Sequence, residues 1–208
     1  MKLYFRITSY ILGIIFLSLG IVLAVKSQLG ISPISSLPFI LSHLTQIDLG
    51  IFTTIFFIIF IILQMCFNKS FKIEKLLFLQ FLFSLALGFF VSKITLIFNS
   101  LHIPENLLIK YLFLGSSILT VGLGLTLILL PNFVPGAPEG LMLIISKKFN
   151  IPFPKVKIMF DISMVLLASL ISFIFLRTVH GIGIGTILSA ILVGKVVSFF
   201  MKRLKPLF

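Results

Sequence analysis

The chain has little of what keeps a protein in water. Charged residues make up 11% of its 208 residues, and only five are Asp or Glu, where an average soluble domain is about a quarter charged. That scarcity excludes an ordinary soluble globular domain. Cysteine occurs once, at Cys66, which excludes an intrachain disulfide and a cysteine-built metal cluster. Histidine occurs three times, at His43, His102 and His180, never in a metal-ligand spacing. Ser36 and His43 share a helical face at i,i+7, but two turns put them about 10 Å apart, too far for a nucleophile–base hydrogen bond. No enzymatic activity, cofactor or metal is expected.

What is abundant is hydrocarbon. Hydrophobic residues reach 59% and the mean hydropathy is +1.27. A membrane span needs roughly 20 apolar residues, and six runs qualify, at approximately 8–25, 51–67, 76–98, 108–130, 158–176 and 183–201. They predict an all-α transmembrane bundle in one integral membrane domain over 1–208, with no room for a soluble catalytic domain. The basic, oily N-terminus imitates a signal peptide. Its run of about 18 residues is too long and lacks a small-residue cleavage site, so it is read as a retained first span.

Seventeen Lys and Arg sit mostly at the ends of the oily runs, so the positive-inside rule explains them better than nucleic acid does. With the N-terminus in the cytoplasm, Lys2, Arg6, Lys69, Lys72, Lys75, Lys147, Lys148, Lys155, Lys157, Lys202, Arg203 and Lys205 fall inside. Lys26, Lys93, Lys110 and Arg177 fall near the outer face, and Lys195 lies within the last span. Both termini are expected to be cytoplasmic, with Lys93 and Lys195 snorkelling to the headgroups.

The chain also matches itself at an offset of 102 to 106 residues. Gly13 and Gly20 overlay Gly115 and Gly122; Ile40, Ser42 and Ile47 overlay Ile144, Ser146 and Ile151; Leu82, Gly88 and Ser92 overlay Leu188, Gly194 and Ser198. Two halves, about 5–100 and 108–204, with three spans each must enter the membrane from opposite sides. The expected plan is two inverted three-helix repeats, an architecture recurrent in secondary transporters.

Each half holds a break. "SQLGISPISSLPFILSHLTQIDLG" and "PNFVPGAPEGLMLIISKKFNIPFP" each contain an apolar run of 10 to 11 residues, too short to span and suited to a re-entrant or interfacial helix. Ser32 before Pro33 reads as an N-cap with proline in the first turn, and Pro138 with Glu139 repeats the device with an acid. Either the second stretch is an ordinary cytoplasmic turn with Glu139 a solvated cap, or the tips Ser32–Ser36 and Gly136–Gly140 enclose a site. Ser32, Ser35, Ser36, Gly136, Glu139 and Gly140 are the lining candidates. Asp161, four residues after Lys157, is a helical ion pair or an ion- or proton-coupling carboxylate. "HGIGIGTILSAILVG" has the wrong spacing for a phosphate or dinucleotide loop. Gly185, Ser189 and Ala190 suit close helix packing, and Gly183, Gly185 and Thr186 are the ligand-lining alternative.

"QLGISPISSLPFILS" and "GIGIGTILSAILVGKVVSFF" resemble the YczE/YyaS/YitT-like families of bacterial integral membrane proteins, the YczE/YyaS branch above all. The resemblance covers nearly the whole chain and implies a multi-spanning protein of the bacterial plasma membrane without the soluble C-terminal domain of many YitT-like members. It hands over no substrate and no catalytic residue. The expected function is a transporter-like protein binding a small solute or ion near the midplane. The alternative is a non-transporting interaction protein, a regulator or substrate-binding subunit of a larger transporter. The expected partners are the lipid bilayer and that solute, not nucleic acid, with room for a homo-oligomer or a membrane partner.

Overall fold

The computed structural model describes residues 3–68, 75–100 and 106–207. Lys2, Lys69, Lys72 and His102 lie outside the described residues. Among the described residues eight α-helices follow one another: α1 (Leu3–Ser27), α2 (Pro33–Thr45), α3 (Leu49–Asn68), α4 (Lys75–Asn99), α5 (Leu107–Leu129), α6 (Ala137–Phe149), α7 (Phe153–Leu176) and α8 (Ile184–Leu204). Six of them (α1, α3, α4, α5, α7 and α8) are long and apolar enough to cross a membrane. Large side chains such as Phe89, Leu112, Leu166 and Phe175 stand exposed on their outer faces, as lipid contact requires. This is a multi-pass membrane architecture in which each span satisfies its own backbone.

Two spans start earlier than the sequence expectation, the first of them α1, which begins at Leu3 rather than near 8. The fifth span starts at Phe153 rather than near 158, because Pro154 occupies the first turn, where a missing N–H costs nothing.

The centre is the pair α1 and α5, the most extensive helix contact. Glycine makes it close: a Cβ on Gly124 would stand 2.6 Å from the Leu17 nitrogen, and one on Gly13 would stand 2.9 Å from the Gly124 carbonyl. Hydroxyls lock the seam, Ser117 donating to the Gly20 carbonyl at 2.8 Å and Ser9 to the Leu127 carbonyl at 3.0 Å. In a bilayer such packing and hydrogen bonding replace the hydrophobic force that joins helices in water. α4 flanks α1 and α8 flanks α5; α3 packs on α4; α2 and α6 each pack against both α3 and α7. α7 and α8, consecutive in the chain, are not among the packed pairs.

The two short helices share their local geometry. Gln28 and Asn132 both adopt left-handed backbone before the helix, with φ of 55° and 52°. Ser32 and Gly136 are the N-caps and Gln46 and Asn150 the left-handed C-caps of two 13-residue helices. Ser42 donates to the Ile47 carbonyl at 2.6 Å, and Ser146 to the Ile151 carbonyl at 2.7 Å. Each of these pairs lies 104 residues apart.

Candidate functional site

The first break follows α1. Its backbone is held by the start of α8: the Ile31 N–H donates to the Gly181 carbonyl at 3.0 Å, and the Gly185 N–H to the Leu29 carbonyl at 2.8 Å. Only glycine lets the two strands of chain come this close. A Cβ on Gly183 or Gly185 would meet the carbonyl oxygens of Leu29 or Gly30 at 2.6 Å, and one on Gly30, whose φ is +119°, would meet the Gly183 nitrogen at 2.8 Å. Thr186, buried, accepts the Gly183 N–H at 3.3 Å. Of the two readings of this glycine run, packing describes Gly183, Gly185 and Thr186. Ser189 is buried beside them, whereas Ala190 faces outward, which corrects its assignment to the packed face.

Below that clamp lies a narrow crevice lined by α1 (Gly20, Ala24), the α2 tip (Ser32, Ser35), α5 (Ser117) and α8 (Ser189), with a volume of about 10 Å³, near that of one water probe sphere. Ser32 was expected to cap α2 with its side chain. Instead its hydroxyl donates to the Ser35 oxygen at 3.1 Å and makes no cap bond. Ser36 is buried apart, donating to the Pro33 carbonyl at 2.6 Å. Pro33 in the first turn needs no N–H partner, so the buried α2 tip leaves fewer donors unpaired. At the outer end of α2 the His43 and His180 rings stack with centroids 5.4 Å apart, tying α2 to the α7–α8 connection.

The second break follows α5, and side chains satisfy its carbonyls. Arg6 donates to the Pro131 carbonyl through Nε at 3.1 Å and also through its terminal Nη2, and lies over the Phe133 ring at 4.5 Å. Tyr10 donates to the Val134 carbonyl at 3.3 Å. Two amides buried in the spans complete the set: Gln64 donates to the Ala137 carbonyl at 3.1 Å and to the Gln80 oxygen at 2.9 Å, and Gln80 donates to the Pro135 carbonyl at 3.3 Å. Gly140 leaves them room, since a Cβ there would stand 2.5 Å from the Gln80 nitrogen and 2.6 Å from the Gln64 oxygen. This break is therefore not an ordinary solvated turn.

Glu139 is half-buried, and its carboxylate folds back over Gly136. α6 is not one of the six spans. Burial pushes the Glu139 carboxyl above the usual carboxylate range, opposed by a bond from its own backbone N–H and by Lys157, and reinforced by Asp161. Lys157 pairs with Asp161 at 2.9 Å, as the spacing predicted. The second carboxylate oxygen of Asp161 is buried and accepts no hydrogen bond among the described residues.

The candidates thus form two groups. Ser32 and Ser35 share a neighbourhood with the Gly183–Thr186 stretch, and Glu139 shares one with Asp161 and Lys157. The residues lining the two tips have no member in common. Sequence reasoning missed Ser117 and Ser189 on the crevice, and Gln64 and Gln80 behind α6. The glutamines carried a usable signal, because an amide inside an apolar span is costly unless bonded.

No solved structure matches the chain. The uncharacterized protein YyaS of Bacillus subtilis (strain 168) is 30% identical over 194 residues, covering 92% of this chain and 90% of the relative. This bears out the YyaS part of the resemblance; neither match carries the YczE or YitT names. A model of a family of unknown function, DUF6198, matches residues 4–202. With a match over nearly its full length, the chain belongs to that family of unknown function.

Proposed function

We propose that the protein is a transporter-like carrier that binds a small solute or ion between two inverted halves. The observation that carries this reading is the pair of matched breaks, each ending in a short helix whose proline-bearing N-terminal turn is buried and whose C-terminal end is exposed. Non-helical backbone at membrane depth is tolerated where it is buried in protein or lines a cavity, and carriers place their sites at such breaks. Some helix contacts repeat between the halves, α1 with α4 answering α5 with α8 and α2 with α7 answering α6 with α3, while α3 on α4 has no such answer between α7 and α8. The basic residues at span ends support cytoplasmic termini in a bacterial plasma membrane.

Ser32, Ser35, Ser117 and Ser189 would contact the solute, and the clamp of α8 on the Leu29–Ile31 backbone would open to admit it. Glu139 and Asp161 share Lys157 and are the coupling candidates. A carboxyl whose proton affinity burial has raised is suited to taking up and releasing a proton or cation as its surroundings open.

The test is a thermal-shift screen of small anions, cations and neutral solutes on purified protein, followed by uptake into liposomes containing this chain alone. We expect at least one solute to raise Tm and to be accumulated. Glu139→Gln should abolish that shift while lowering the ligand-free Tm by no more than about 4 °C, since a carboxylate at a helix start is typically worth up to about 1 kcal/mol. An undiminished shift in Glu139→Gln removes that residue from the site. Binding without uptake favours the alternative, a substrate-binding subunit of a larger assembly.

A further inference from the structure

We propose that the outer face of α8 binds an anionic phospholipid from the leaflet at the C-terminal end of that helix. The face carries a groove of about 490 Å³ lined by Ile191, Gly194, Lys195, Ser198, Phe199 and Lys202. These residues recur at helical spacing along one stripe. Two features separate the stripe from ordinary lipid-facing surface.

The first is shape. Gly88 and Ser92 of α4, the residues that align with Gly194 and Ser198, are covered by α3: a Cβ on Gly88 would collide with Thr54 and stand 2.6 Å from the Gly50 carbonyl. α8 has no such cover, because α7 does not pack on it, and a Cβ on Gly194 would meet nothing within 4 Å. The missing side chain leaves an open furrow beside Ile191 and Phe199, an apolar surface against which an acyl chain can lie.

The second is charge. Lys195 and Lys202 both line the furrow, and α8 holds no acidic residue. Lys195 is exposed and has no hydrogen bond or ion pair among the described residues. It lies two turns, about 10 Å, deeper than Lys202, so its stem must run toward the helix end to bring the ammonium to headgroup depth. Ser198 spends its proton on the Gly194 carbonyl at 3.0 Å, which leaves the lysines to supply the donors to a phosphodiester. A second copy of this chain docking through the same stripe would set lysine against lysine in a medium that screens charge poorly. An anionic headgroup with its acyl chain complements both features.

Native mass spectrometry of the detergent-purified full chain, equilibrated with phosphatidylglycerol or phosphatidylcholine, tests this. Wild type should retain phosphatidylglycerol preferentially. Lys195→Ala and Lys202→Ala should each lower that retention about fivefold, the factor equivalent to about 1 kcal/mol per basic residue. Gly194→Phe, which fills the furrow and keeps both charges, should lower it as well, separating a built site from diffuse attraction. Equal retention of the two lipids by wild type, or unchanged phosphatidylglycerol retention in Lys195→Ala/Lys202→Ala, overturns the proposal. So does efficient disulfide cross-linking of Ser198→Cys (with Cys66→Ala) between copies in anionic liposomes, which would give the groove to a second copy.

Discussion

Replacing Gly185 with valine will uncouple α8 from the first break and destabilise the protein by roughly 3–5 kcal/mol, combining overpacking with orphaned backbone groups. The Cβ of any residue at 185 points at the Gly30 and Leu29 carbonyls, at 2.6 and 2.9 Å. These are backbone atoms, so no rotamer change can relieve the contact. The chain must separate, and the bond from the Gly185 N–H to the Leu29 carbonyl is lost with it. Its neighbour from Ile31 to Gly181 is placed under strain. In lipid, where water cannot replace a lost partner, each orphan is expensive. The check is the denaturation midpoint of purified protein, with Gly194→Val as the contrasting glycine: open space surrounds Gly194, and its substitution should cost less than about 1 kcal/mol. Equal losses at the two positions would refute the clamp.

The second large effect is expected at the glutamine pair. Gln80→Leu removes the donor to the Pro135 carbonyl and the acceptor for Gln64 in one step. Interhelical hydrogen bonds in membranes average only about 0.6 kcal/mol, because an unfolded helix in lipid finds other partners. The carbonyls of a helix break are a harder case, since proline and the missing helical turn leave them no intrahelical donor. We therefore expect a loss of roughly 2–4 kcal/mol. Gln64→Leu should cost less, about 1 kcal/mol, because Ala137 is the first residue of α6 and its carbonyl keeps a helical donor when the amide is lost. The two losses should not add: the mutual bond between the amides disappears with the first substitution, so the double variant should fall short of the sum by about 1 kcal/mol. A double-mutant cycle on denaturation midpoints measures that coupling. Strict additivity would mean that the amides act separately.

Much of the frame was legible in the sequence. The runs found by hydropathy are the six long helices, with ends displaced by a few residues where proline or a cap decided the start. The breaks were legible too, since proline and glycine inside an oily chain cannot continue a span. The repeat pairs Ser42 with Ser146 and Ile47 with Ile151, first noticed as matching letters, are matching hydrogen bonds in space. The site was harder to read. Ser32 holds the N-cap position of α2 as the sequence suggests, but its hydroxyl turns to Ser35 rather than to the helix backbone. The sequence favours packing for Gly185 but does not name its partner, which is the Leu29–Gly30 backbone.

What the amino-acid order determined by itself was local: which stretches are helical, which cross lipid, and where the backbone must stop. A bilayer makes these decisions local, because each span must satisfy its own peptide groups and its own apolar length. What only the tertiary structure decided was which distant groups rescue the interrupted backbone. Arg6, Gln64 and Gln80 serve the second break, and residues 181–186 serve the first. It also decided that α3 covers the Gly88 face of α4 while the Gly194 face of α8 is left uncovered among the described residues. Hydrogen-bond partners across a bundle depend on how helices are rotated and set in depth against one another. That arrangement is fixed by packing summed over the whole molecule, and no short stretch of sequence contains it.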